Sequence, residues 1–137
     1  MPLLLEADPS EERIASYLGR SDCYVADSAG EVIGVVVLLP TRPETVEIVN
    51  VAVAPDRRGQ GIGKLLVMEA IRIAASDGYR VIEVGTGNSS LDQLALYQKC
   101  GFRITGIEID HFVLHYPEPI VENGIPCRDM IRLSRNV

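Results

Sequence analysis

The stretch that decides the fold runs from Val51 to Met68: V-A-V-A-P-D-R-R-G-Q-G-I-G-K-L-L-V-M. An apolar run from Ile48 to Ala54 stops at Pro55, and a short polar turn, Asp56-Arg57-Arg58, follows. Gly59, Gly61 and Gly63 then alternate with other residues. After them the apolar period changes, with Ile62, Leu65, Leu66, Ala70, Ile73 and Ala74 recurring at helical spacing. The pattern predicts a strand, a turn and a helix, with the glycines at the helix start.

Glycines there permit backbone angles that a Cβ forbids, and they let another molecule approach the main chain closely. The first helical turn adds unpaired N–H groups and a partial positive charge. Together these features make an anion cradle, most often for phosphate. Arg57, Arg58 and Lys64 stand against one acid, Asp56, so this is a basic spot on a chain of formal charge −6. A Walker loop would need Gly at position 58 and Ser or Thr at 65, where the chain has Arg58 and Leu65. The Rossmann fingerprint also fails, since its third glycine would fall on Lys64 or Leu66.

What fits is Arg-x-x-Gly-x-Gly at Arg58, Gly61 and Gly63. After the V-A-V-A-P strand, it resembles the acetyl-CoA-binding motif of the GNAT family, the GCN5-related N-acetyltransferases. A glycine-rich turn that binds nothing would leave the agreement of strand, Pro55, arginine pair and glycine register unexplained. The resemblance implies an α/β (α+β) GNAT fold: a mixed central sheet flanked by helices, with strands splayed at the acetyl-CoA site.

The 137 residues suit one domain, residues 1–137, long enough to bury roughly two-thirds of the unfolded surface. A hydrophobic content of 47% supports a core and argues against disorder. No apolar run reaches membrane-spanning length, and Met1 to Leu5 is too short and lacks the basic start of a signal peptide. Cys23, Cys100 and Cys127 are odd in number, lack metal-ligand spacing and read as free thiols of a cytoplasmic protein. The pI of about 4.9 argues against a nucleic-acid partner and agrees with a cationic, amine-bearing substrate.

Along the chain, Pro2 to Glu6 reads as a strand, and Asp8-Pro9-Ser10-Glu11 as the start of a helix ending at Leu18. Cys23 to Asp27 and Val32 to Leu39 read as a hairpin around Ser28-Ala29-Gly30-Glu31, broken at Pro40-Thr41-Arg42-Pro43. Glu44 to Val53 is the next strand, and the long helix runs from about Gly61 to Ser76. A strand at Arg80 to Gly85, a loop to Ser90, a helix at Leu91 to Cys100 and a strand from Phe102 to about Phe112 follow. The segment from Leu114 to Pro126 reads as an ordered loop with a turn at Asn123-Gly124, and Arg128 to Leu133 as the closing strand. This order also matches GNAT architecture, although the N-terminal part has room for one helix where the family often has two, which bears on acceptor recognition.

Acetyl transfer from a thioester needs a neutral amine, a donor for the carbonyl oxygen and a proton for the leaving thiolate. The resemblance implies direct attack in a ternary complex. By its motifs, Val51 and Val53 pair with the pantetheine arm, and the pyrophosphate meets N–H groups between Arg58 and Lys64, which include Gly59, Gln60, Gly61 and Gly63. Tyr97, four residues before Gly101-Phe102 in L-Y-Q-K-C-G-F, matches the tyrosine that stands near the CoA sulfur as general acid; the bland reading is a Tyr packed under the sheet. The family often has Asn seven residues before this Tyr. That position is Ser90 here, with Asn88 two residues earlier, so both are cofactor candidates.

Glu47, four residues before Val51, leads as general base, with Glu44 and Glu83 as competitors. A strand Glu is equally read as a solvent-face residue. Residues 110–120, D-H-F-V-L-H-Y-P-E-P-I, concentrate aromatic, His and acidic side chains, as in an acceptor-facing or dimer-contact loop. His111 and His115 would share a metal only on a helix, which the nearby prolines and aromatics argue against, so no metal is expected. The expected protein is an acetyl-CoA-using N-acetyltransferase acting on a small-molecule or peptide amine, without a membrane partner, and dimeric if it follows many family members. Its rival is a CoA-binding regulatory module of the same fold without catalysis.

Overall fold

The computed structural model describes residues 21–137. The strand expected at 2–6 and the helix expected at 8–18 lie outside the described residues. The described residues divide into two compact units, residues 21–82 with 136–137, and residues 83–135.

In the first unit, β1 (Asp22–Ser28), β2 (Glu31–Arg42) and β3 (Thr45–Val53) form an antiparallel meander in chain order. Ala29 and Gly30 join β1 to β2 with φ of 51° and 83°, the left-handed pair whose twist matches a tight hairpin. The run from Ile33 to Leu38 is buried throughout, as its unbroken apolar character requires. The break expected at residues 40–43 falls later, because β2 continues to Arg42. Among the described residues β1 pairs with β2 only as far as Leu38, so Pro40 lies past that ladder, where a missing N–H is tolerated.

Helix α1 (Ile62–Ser76) packs on β2 and β3. Its buried stripe is Ile62, Leu66, Val67, Ala70, Ile71 and Ala74. Leu65, expected in that stripe, points outward and is 68% exposed. Gly34 on β2 has a packing reason: a Cβ there would meet Leu66 Cδ1 at 2.8 Å. The helix therefore sits closer to the strand than a side chain would allow.

The second unit takes up the chain within β4 (Val81–Gly87) and adds α2 (Leu91–Lys99), β5 (Arg103–Glu108), α3 (His111–His115), β6 (Val121–Glu122), β7 (Ile125–Pro126) and β8 (Met130–Asn136). The strand order is β4-β8-β5, and β6 and β7 form a separate hairpin around Asn123-Gly124. Three expectations are corrected. β4 extends to Gly87, and β8 starts and ends later than 128–133. The strand expected to reach Phe112 stops at Glu108. Asp110, at φ 59°, turns the chain out of extended conformation, and His111 to His115 form a single helical turn. Two bonds hold that turn: the Asp110 N–H donates to Asp129 Oδ1 (2.9 Å) and the Phe112 N–H to the Arg128 carbonyl (3.0 Å).

Candidate functional site

The glycine turn folds as its composition dictates. Pro55 opens one 3-10 turn, Pro55–Arg57, closed by the Arg57 N–H on the Ala54 carbonyl at 2.9 Å. Arg58 is extended, and Gly59 and Gly61 take φ of 81° and 78°, angles that strain any residue with a Cβ. Gly61 is the N-cap of α1. The first helical bond runs from the Leu65 N–H to the Gly61 carbonyl (3.1 Å). The N–H groups of Ile62, Gly63 and Lys64 thus precede the helix ladder.

No side chain caps this helix, and its first turn holds no acid. Most helix starts are closed by Ser, Thr, Asp or Asn. Here, among the described residues, no side chain supplies that cap. A Cβ built on Gly59 or on Gly61 meets nothing within 4 Å. Both glycines therefore answer to backbone conformation and to what approaches from outside, not to internal crowding. Gln60, Gly61 and Lys64 are exposed, and Arg57 is drawn aside to Glu31 at 3.8 Å. Arg58 is exposed at the mouth of the turn. The fit to a phosphate-bearing ligand is good on all these counts.

Val51, 8% exposed, and half-buried Val53 lead into the turn on β3. Residue spacing alone would put Glu47, four positions earlier, on the face of Val51. A bulge reverses this. Leu38 opposes Ile48 while Val37 opposes Asn50, so Val49 is an extra residue in β3. Glu47 then shares a face with Asn50 and Ala52, away from α1, whereas Val51 and Val53 share the α1 face with Gly34. Glu47 is half-buried. Glu44 is an exposed turn residue paired with Arg80 at 3.6 Å.

In the second unit, Tyr97 is 2% exposed on α2, its ring 5.8 Å from Phe102. Burial pushes its phenol well above the usual value, and Cys100 adds to the shift. It keeps its proton across the neutral range and can give it only to a strong, close acceptor. Glu83, half-buried, lies on β4.

The two cofactor candidates beyond β4 have partners in the chain. Asn88 Oδ1 accepts the N–H groups of Arg128 (2.8 Å) and Asp129 (2.9 Å), and its Nδ2 donates to the Pro126 carbonyl (3.1 Å). Ser90 Oγ donates to Glu122 at 2.9 Å, and fully buried Ser89 donates to the same carboxylate oxygen at 3.2 Å. Asn88 thus ties the end of β4 to the strand before β8, and Ser90 ties it to β6.

A cluster that sequence reasoning passed over joins β5, α3 and β8. Glu108 accepts from Arg132 Nε at 3.0 Å and lies 3.1 Å from His111 Nδ1. Burial raises the Glu108 carboxyl, but Arg132 and His111 outweigh it and leave it below its ordinary value. The signal was the three-residue spacing of Glu108 and His111, which brings the two side chains together across the turn into α3. The His111 and His115 rings lie 4.7 Å apart on the helical turn that was not expected. No group of three or more His, Cys, Asp or Glu among the described residues is arranged to hold a metal ion.

An acid-free helix start without a side-chain cap, behind two left-handed glycines, has the geometry that suits an anion such as the diphosphate of a coenzyme. The chain matches the Acetyltransferase (GNAT) family over residues 3–102 and belongs to it. It is 57% identical over 131 residues to the uncharacterized N-acetyltransferase YvbK of Bacillus subtilis (strain 168), covering 96% of this chain and 84% of that protein. It matches an IAA acetyltransferase from Bacillus cereus ATCC 14579 with a TM-score of 0.97 and 59% identity, over 99% of this chain and 91% of that one. A GNAT family acetyltransferase from Elizabethkingia anophelis, solved with acetyl-CoA bound, matches at TM-score 0.97 and 50% identity, over 99% of this chain and 89% of that one.

The fold is the mixed sheet of six strands flanked by helices that the family shares. The protein is an acetyl-CoA-dependent N-acetyltransferase with an amine as acceptor. No helix among the described residues is long and apolar enough to cross a membrane.

Proposed function

We propose that residues 1–137 form one catalytic domain, which acetylates a cationic primary amine, small molecule or peptide, by direct attack within a ternary complex in the cytoplasm. The observation that carries the donor side is Gly61, a left-handed N-cap with open space at its Cβ position, ahead of a helix turn free of acids. In this reading Gly59, Gln60, Gly61, Gly63 and Lys64 present main-chain N–H groups to the diphosphate, and Arg58 adds its guanidinium. Val51 and Val53 offer backbone to the pantetheine arm. Asn88 and Ser90 shape the cofactor side through the bonds that fix their loop.

The chemistry forms an N–C bond to the acetyl carbon and breaks its C–S bond. The attacking nitrogen gives its proton to Glu47 or Glu83, directly or through water. A β3 N–H stabilises the charge on the carbonyl oxygen. The leaving sulfur takes the Tyr97 proton, which the phenolate then regains from solvent. Support for a cationic acceptor comes from the net charge of −6, concentrated away from the basic glycine turn. Free Cys23, Cys100 and Cys127 support a reducing compartment.

The test is steady-state kinetics with both substrates varied, over a panel of polyamines, amino acids and peptide N-termini. Intersecting double-reciprocal lines with a cationic amine are expected. Parallel lines would point to an acyl-enzyme and overturn direct attack.

A further inference from the structure

Strand β5 reads R-I-T-G-I-E from Arg103 to Glu108 and ends its sheet. It pairs with β8 and, among the described residues, with no strand on its other side. All of its residues but Gly106 are exposed, Ile104 at 52% and Ile107 at 57%. An exposed apolar edge is a template for pairing with another strand.

The register against β8 adds a second fact. Ile104 opposes Leu133 and Gly106 opposes Arg132, so Thr105 is an extra residue, a bulge. Side chains alternate between the faces of a sheet. In a straight strand Ile104 and Ile107 would lie on opposite faces, as would Arg103 and Glu108. The bulge brings both isoleucines to the face of Leu133 and Ile131, and both charged residues to the face of Arg132. The 3.0 Å contact between Glu108 and Arg132 fits that placement.

We propose that β5 is the contact strand of a symmetric dimer formed by two copies of this chain. The two strands pair antiparallel about a two-fold axis that passes through the sheet between Thr105 and Gly106. Such an axis keeps every side chain on its own face, so only residues of the same face can be opposed. The bulge satisfies this condition for both pairs. Arg103 meets Glu108 of the second copy, Ile104 meets Ile107 of the second copy, and each contact occurs twice.

Gly106 opposes the extra residue Thr105 and has open space at its Cβ position, which allows the backbones to approach. The Glu108 side chain is 46% exposed, so its carboxylate has an open side for Arg103 of the second copy in addition to Arg132 and His111. Ile109, Val113 and Leu114, all exposed, follow directly in the chain and extend the apolar surface. The occupant is a second copy because the strand is complementary to itself, cation to acid and isoleucine to isoleucine, about its own centre.

The experiment is sedimentation equilibrium of the full chain across the micromolar range. A monomer–dimer equilibrium is expected. Ile107→Asp and Arg103→Glu, both at exposed positions, should each weaken it, the first by about 100-fold. The register is tested in a Cys23→Ser background by mixing a chain carrying Ile104→Cys with one carrying Ile107→Cys under mild oxidation. The mixture should yield a cross-linked dimer and each chain alone should not. A monomer throughout, a dimer unmoved by both substitutions, or equal cross-linking of either chain alone would overturn the proposal.

Discussion

Asn88 and Asp129 hold each other twice: the Asn88 N–H donates to the Asp129 carbonyl at 3.0 Å, and Asn88 Oδ1 accepts the Asp129 N–H at 2.9 Å. With the bonds to Arg128 and Pro126, the one side chain holds three of the four residues before β8. Asn88→Ala removes three side-chain bonds, two of them from main-chain N–H groups, and should cost about 3 kcal/mol, at roughly 1 kcal/mol per lost bond. Asn88→Asp keeps the acceptor and should cost less. Denaturant titration of both variants checks the order.

Gly61 needs its left-handed φ of 78° whether or not ligand is present. Gly61→Ala should therefore destabilise the free protein by about 1 kcal/mol. Its Cβ also projects into the space assigned to the diphosphate, so CoA affinity should fall by at least tenfold, about 1.4 kcal/mol. Thermal unfolding with and without CoA separates the two effects.

Tyr97→Phe keeps the buried ring against Phe102 and removes only the acid. Turnover should fall by about 100-fold, while the KM for acetyl-CoA stays within about twofold, as expected of a proton donor used in the transition state. An unchanged kcat would remove Tyr97 from the mechanism.

Cys23 is exposed, and Cys100 and Cys127 are buried. A disulfide-exchange reagent should titrate one thiol in the native protein and three after denaturation. Burial raises the Cys127 thiol, only partly offset by Ser89, and raises the Tyr97 phenol as well. The unfolded chain releases both protons first, near about 8.5 for Cys and about 10 for Tyr. The stability they contribute is therefore complete below those values and is lost as pH rises through the higher folded ones. Denaturation midpoints should decline from neutral towards strongly alkaline pH, and less steeply in Cys127→Ala.

The glycine turn was legible because its signals are local: the period changes from strand to helix within a few residues, and left-handed positions call for glycine. The same holds for the Ala29-Gly30 hairpin. What escaped the sequence depends on partners distant in the chain. Pro40 stays in β2 because the β1 ladder starts at Asp22, opposite Leu38, and does not reach it. The bulge at Val49, which decides the face of Glu47, exists only relative to β2. The turn at His111–His115 rests on Asp129 and Arg128, nearly twenty residues away. Leu65 fitted the helical period yet lies outside the buried stripe, because period identifies a helix without fixing which edge of its apolar arc faces the sheet. The Asn88 and Ser90 bonds were equally hidden, since an amide or hydroxyl after a strand reads the same whether it meets a ligand or its own chain.

The glycine turn from Arg58 to Lys64 should hold the coenzyme. Isothermal titration calorimetry of the unmodified chain and of Gly61→Val, with acetyl-CoA, CoA, NAD and ATP, tests it most directly. Selective one-to-one binding of both CoA species by the unmodified chain is expected, and none by a folded Gly61→Val. Full affinity in that variant, or no CoA binding by the unmodified chain, would contradict it.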